Sequence, residues 1–142
     1  MARVFLVDDD PDQLEVRALM LSQAGHEVTS AGSLRQAFEL FEQSRSNLLV
    51  MDLRLPRTED GLLRIRRIRE TAPDTKIMVL SGWSADLDHR PEERMVDQVL
   101  SKPVRSQHLL STIAKLALLL LCLTPLRAEP ANVFPFQLDT PA

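Results

Sequence analysis

Four short apolar runs punctuate the chain: Val4-Phe5-Leu6-Val7, Leu48-Leu49-Val50-Met51, Ile77-Met78-Val79-Leu80 and the shorter Val99-Leu100. None alternates apolar with polar residues, so each is predicted to be a strand buried on both faces. The segments between them have helical spacing. Asp10 followed by Pro11 predicts a helix start, with Leu14, Ala18 and Leu21 on one face and a stop at Gly25. Ser33 and Gln36 have capping-box spacing ahead of Leu34, Ala37, Phe38 and Phe41. A weak strand around Glu27-Val28-Thr29 lies between these two helices. A third helix is predicted from about Asp60 to Glu70, carrying Leu62, Ile65 and Ile68 and ending before Ala72-Pro73. The stretch from Asp86 to Val96 is poorly periodic and is assigned one short helix. The last helix starts near Ser106, with Leu109, Ile113, Leu116 and Leu120 on one stripe. Strands alternating with helices at this spacing predict an α/β fold: five mostly parallel strands, doubly wound, with five helices on both faces.

From Thr124 onward Pro125, Pro130, Pro135 and Pro141 break the pattern. Residues 1–123 are therefore expected to form the domain, and residues 124–142 a proline-rich tail with no effector domain. The chain of 142 residues is 44% apolar and 26% charged, the balance of a folded rather than a disordered protein. A net charge of -3 argues against direct nucleic-acid binding. The one cysteine, Cys122, excludes an internal disulfide framework and a cysteine-based zinc site. Met1-Ala2-Arg3-Val4 does not read as a secretory signal. The longest apolar run, Leu116 to Leu123, has 8 residues, against the roughly twenty of a membrane-spanning helix. A cytoplasmic location with no membrane contact is the expectation.

In an open parallel sheet, binding sites lie beyond the carboxyl ends of the strands. Asp8, Asp9 and Asp10 follow the first run, Asp52 the second, Ser81-Gly82 the third and Lys102-Pro103 the fourth. Crowded carboxylates repel one another, and a hard, oxygen-preferring cation resolves the conflict. Mg²⁺ held by Asp8, Asp9 and Asp52 would keep positions open for phosphoryl oxygens. Asp52 is then a candidate nucleophile, with the Ser81 hydroxyl and the Lys102 ammonium orienting the phosphoryl group. Any one of these residues alone reads as a turn or a surface side chain. Asp10 is assigned to helix capping.

Taken together, the order of Phe5-Leu6-Val7-Asp8-Asp9-Asp10-Pro11, Leu49-Val50-Met51-Asp52-Leu53-Arg54-Leu55-Pro56, Val79-Leu80-Ser81-Gly82 and Leu100-Ser101-Lys102-Pro103 resembles the receiver domain of two-component response regulators. The resemblance spans residues 3 to about 120. It implies a flavodoxin-like sheet order 2-1-3-4-5 and Asp52 as phosphoacceptor. It further implies Mg²⁺ on Asp8, Asp9, Asp52 and the backbone carbonyl of Arg54, Ser81 as the conformation-coupling hydroxyl and Lys102 as the phosphate-pairing lysine. The donor it implies is a phosphohistidine on a sensor histidine kinase or phosphotransfer protein. Output would pass by contact with a partner protein or by onward relay, without turnover of a separate substrate. The chain departs from the family pattern at Val99, where an aromatic residue is usual, and at Met95-Val96, where Gly-Ala is frequent. Its loop from Pro56 to Gly61 is one residue longer than the common form.

Two alternatives remain open on the sequence. A haloacid-dehalogenase-like phosphohydrolase also uses an Asp nucleophile, Mg²⁺, a hydroxyl and a Lys. Against it, Asp12-Gln13 lacks the expected Thr or Val, and no acidic pair follows Lys102. The other alternative is a degenerate receiver that only binds proteins. Trp83, two residues past Ser81, is expected to lie on the loop surface, and the Arg54 side chain near the mouth of the site. Leu118, Leu119, Leu120, Leu121 and Leu123 carry apolar character around the last helix. Such a helix needs cover. The expected covers are a second subunit, giving a homodimer, or the tail folding back with Val133, Phe134, Phe136 and Leu138.

Overall fold

A computed structural model describes residues 2–54, 57–83 and 86–120; at Leu34 and Phe38 it describes the backbone alone. The expectations for Leu121, Leu123 and the tail fall outside those residues. The strands are β1 (Arg3–Val7), β2 (Glu27–Ala31), β3 (Leu48–Asp52), β4 (Lys76–Ser81) and β5 (Gln98–Ser101). The helices are α1 (Pro11–Gln23), α2 (Leu34–Ser44), α3 (Thr58–Thr71) and α4 (residues 106–120). All strand pairings are parallel, in the order β2-β1-β3-β4-β5. Val4 pairs with both Val28 and Leu48, and Leu80 with both Asp52 and Leu100.

Three of the four apolar runs are buried on both sides, as their lack of alternation requires. The expectation fails for the fourth, Val99-Leu100 on the edge strand β5, where Leu100 is buried and Val99 is exposed because, among the described residues, no further strand or helix covers that side. Phe5, Val7, Leu49, Met51, Ile77 and Val79 face one core with Ala37 of α2 and Leu62, Ile65 and Ile68 of α3. Val4, Leu6, Leu48, Val50, Met78, Leu80 and Leu100 face the other with Leu21 of α1 and Leu109, Ile113, Leu116 and Ala117 of α4. The period of two along a strand divides each run between the two layers. The sheet is thereby clamped, and its carboxyl edge is held in place.

Local chemistry sets the helix ends. Asp10 accepts from the Asp12 and Gln13 amides, and Pro11 opens α1. That helix closes with Gly25 at φ 96, His26 N–H donating to Leu21 O (3.0 Å) and Gly25 N–H to Ser22 O (3.0 Å). A left-handed residue with this pair of bonds is what satisfies the last carbonyls, and glycine takes that conformation without Cβ strain. At α2, Ser33 accepts from Gln36 N–H, but the Gln36 side chain accepts from Gly32 N–H at 2.8 Å, one residue earlier than a capping box places it.

One sequence expectation is corrected and another is made specific. The third helix begins at Thr58 rather than Asp60. Asp60 lies inside its first turn, paired with Arg57 at 3.3 Å and near the positive end of the helix dipole, so an acidic residue there resembles a cap. Between β4 and β5, the short helix expected within Asp86–Val96 is present as a 3-10 helix (Pro91–Met95) rather than an α-helix. The described helices are thus four α-helices and that 3-10 turn. Pro91 supplies no N–H and fixes its own φ, and the apolar residues Leu87, Met95 and Val96 share no helical stripe. The segment is tied down instead by polar contacts to α3. Glu92 is buried and pairs with Arg66 (2.9 Å). Arg69 donates to Met95 O (2.7 Å) and to Asp97 (2.6 Å), and Asp97 accepts from the Ile77 amide.

Candidate functional site

The ladder delivers the polar residues to one edge. Asp8 follows the last β1 residue, and its amide donates to Ala31 O of β2. Asp52 closes β3, between β1 and β4. Lys102 follows β5, its amide donating to Ser81 O at 2.8 Å, and its bond to Pro103 is cis. At this edge one carboxylate oxygen from each of Asp8, Asp9 and Asp52 lies within 4.8 Å of the others. The three form a cup with a buried floor at Asp8, a half-buried wall at Asp52 and an exposed lip at Asp9. Lys102 Nζ stands 2.5 Å from Asp52 Oδ2. Asp52 Oδ1 accepts from the Arg54 amide at 3.2 Å.

The donor set fits a hard divalent cation. It offers three carboxylates converging from two strand ends, and no nitrogen or sulfur ligand that would favour a softer metal. The predicted residues separate cleanly. Asp8, Asp9, Asp52 and Lys102 come together, and Asp10 is spent on the cap. Ser81 is buried at the end of β4, but its hydroxyl donates to Trp83 O (2.8 Å) and accepts from Trp83 N–H (3.1 Å), closing a turn rather than reaching Asp52. Trp83 is 62% exposed, on the surface as its loop position predicted.

Two residues were missed by sequence reasoning. Asp86 receives the Arg54 guanidinium through two bonds, at 2.9 and 3.2 Å, and Thr58 donates to it. The Arg54 side chain thus spans from the end of β3 to the loop after β4. The hydrogen bond and charge of Arg54 hold the Asp86 carboxyl below its ordinary value, and Asp86 raises the Arg54 guanidinium. No spacing rule links residues this far apart in the chain. The second is Arg17, whose Nη1 lies 2.6 Å from Asp8 Oδ2. A sequence signal existed here: Arg17 is three residues after Leu14 and four before Leu21, on the stripe that α1 turns to the core. A charge on a buried stripe calls for a partner.

Comparison with known proteins agrees with this geometry. Residues 4–114 match the response regulator receiver domain family. The chain is 32% identical over 117 residues to the response regulator receiver protein CpdR of Brucella abortus, covering 82% of this chain and 97% of that one. It is 31% identical over 100 residues to the autoinducer 1 sensor kinase/phosphatase LuxN of Vibrio campbellii, which is 70% of this chain but 12% of that one. The crystal structure of the response regulator protein TrrA from Thermotoga maritima, in complex with Mg²⁺-BeF, superposes with a TM-score of 0.71 at 25% identity, over 82% of this chain and 99% of that one. Among the described residues no helix is long and apolar enough to cross a membrane. With the sheet order, the site and the match over residues 4–114 in agreement, the chain belongs to the response regulator receiver domains of two-component systems.

Proposed function

We propose that this receiver is a phosphorylatable switch in which Asp52 takes a phosphoryl group from a phosphohistidine on a sensor histidine kinase or phosphotransfer protein. The observation that carries the reading is the convergence of Asp8, Asp9 and Asp52 with the Lys102 ammonium 2.5 Å from the Asp52 carboxylate. An Asp52 oxygen attacks phosphorus, the P–N bond breaks, and the imidazole leaves with the electron pair of that bond. Water attack later returns the carboxylate and inorganic phosphate. Lys102 holds the carboxylate in place and offers a positive charge to the phosphoryl oxygens.

Asp8, Asp9, Asp52 and the Arg54 backbone carbonyl are the residues we assign to Mg²⁺, which when bound neutralises phosphoryl charge. Ser81 is assigned the coupling role. To reach a phosphoryl oxygen its hydroxyl must give up the Trp83 backbone, so the turn at Gly82-Trp83 moves with the site. Residues 1–123 form the receiver unit in this reading. Output passes to a partner protein or along a relay, in the cytoplasm, without turnover of a separate substrate. The similarity to CpdR over 97% of that protein's length supports the assignment. Receiver-family membership sets the phosphohydrolase alternative aside.

Incubation with acetyl phosphate and Mg²⁺ tests the proposal. A single acid-stable, base-labile adduct per chain, lost without Mg²⁺ and lost in Asp52→Asn, is the expected result. Labelling that survives Asp52→Asn removes Asp52 as acceptor. Absence of labelling in the unaltered protein, with beryllofluoride also failing to bind, leaves the binding-only receiver as the function.

A further inference from the structure

We propose that Arg17 is a built-in counter-cation of the acidic cup, competing with an incoming divalent cation for Asp8 and setting how much Mg²⁺ the site requires. The inference rests on the phosphoacceptor reading above and assigns a regulator of that same site.

Asp8 is the most buried member of the cup, 3% exposed. Both of its oxygens are engaged within the chain. Oδ1 accepts from the Asp10 amide at 2.9 Å, and Oδ2 is paired with Arg17 at 2.6 Å. The two side chains are 5% and 11% exposed, so water screens the pair little. A carboxylate oxygen offers about two lone-pair positions, and each oxygen here has already given one to a donor. Asp9, by contrast, has no ion pair among the described residues and stands exposed at the lip.

The charge count gives the direction of the effect. Asp8, Asp9 and Asp52 contribute three formal negative charges, while Arg17 and Lys102 contribute two positive ones. Three less two leaves one net negative charge in the cup; without Arg17 it would be two. Affinity for a hard dication rises with the ligand charge around it. Arg17 therefore weakens Mg²⁺ binding while it neutralises a buried carboxylate that would otherwise stand unpaired beside two others. Its reach from the second turn of α1 also fixes the Asp8 side chain, making it a positioning residue rather than one that touches phosphate.

Titration calorimetry with Mg²⁺ alone, cross-checked by Trp83 fluorescence, tests this on the full chain. Arg17→Met removes the charge and keeps much of the stem, and Arg17→Gln keeps a donor for Asp8. Both are expected to bind Mg²⁺ at least about tenfold more tightly, the lower bound being one unit charge acting on a dication about 6 Å away with full water screening. Arg17→Lys keeps the charge and should stay within about twofold of the original. Melting curves give a readout apart from affinity. In EDTA the Arg17→Met and Arg17→Gln proteins should melt below the original, and Mg²⁺ should raise their melting temperatures by more than it raises the original's. Equal or weaker Mg²⁺ binding in whichever of the two neutral variants folds overturns the role of Arg17. If neither the original nor the variants bind Mg²⁺, or if Asp9→Ala leaves binding untouched, the cup itself is misassigned and the phosphoacceptor reading fails with it.

Discussion

The two connections that frame the site differ in what holds them. The acidic cup follows β1 and β3, inner strands paired on both sides and buried on both faces. Its residues sit within a step or two of the ladder, and two of its three carboxylates are held by hydrogen bonds: Asp8 to Asp10 and Arg17, Asp52 to Lys102 and Arg54. The connection from Gly82 to Asp97 hangs from β4 and enters β5, the edge strand. Among its described residues it buries one apolar side chain, Leu87, with Met95 and Val96 partly buried against the same core, and it is held further by ion pairs with α3 and by Arg54. A region anchored by ladder bonds and two cores presents a fixed geometry. A region with few buried apolar side chains, held largely by ion pairs, opens at lower free energy. A receiver needs both: a rigid acceptor, and a segment beside it whose arrangement responds. Val99 at the edge has an exposed side chain where the family pattern has an aromatic one, and in the proposed switch the Ser81–Trp83 turn is the part that responds.

The contrast can be broken at either end. The largest expected effect is on chemistry: Asp52→Asn should reduce acetyl phosphate labelling to background while circular dichroism still shows the folded sheet. Next comes Leu87→Ala. Removing this buried apolar side chain of the β4–β5 connection should cost about 3 kcal/mol in urea unfolding if the segment unfolds with the domain. A much smaller loss, with fast amide exchange confined to that connection, would show that it opens on its own. Gly61→Ala probes the opposite region. A Cβ there would collide with the Leu53 carbonyl, immediately after Asp52. A loss of about 2 kcal/mol, with weakened labelling, is expected as the backbone beside the acceptor is pushed aside.

The smallest effect belongs to the bridge between the two regions. Asp86→Asn should lower stability only slightly at neutral pH, since the Arg54 partner is exposed. Its pH dependence has a definite sign. Arg54 lowers the Asp86 carboxyl in the folded chain, so the pair's contribution is complete above the unfolded value of about 3.9 and fades as the pH falls through the lower folded value. Melting temperatures of the original and Asp86→Asn should therefore converge only in strong acid. A gap that closed near neutral pH would remove Asp86 as the titrating group.

The strands, the burial of β1, β3 and β4 on both faces, the capped start of α1 and the residues of the cup were legible in the sequence, because each follows from a short-range rule: an unbroken apolar run, a carboxylate before proline, a polar residue just past a strand. Tertiary structure decided what those rules do not reach. It placed Arg17 on Asp8 and Arg54 on Asp86, turned the Ser81 hydroxyl to Trp83, moved the start of α3 to Thr58 and left the β4–β5 connection without an α-helix. Charged side chains choose partners by distance in space, and a segment with a weak apolar stripe takes its shape from what it packs against. Neither choice is written in local periodicity.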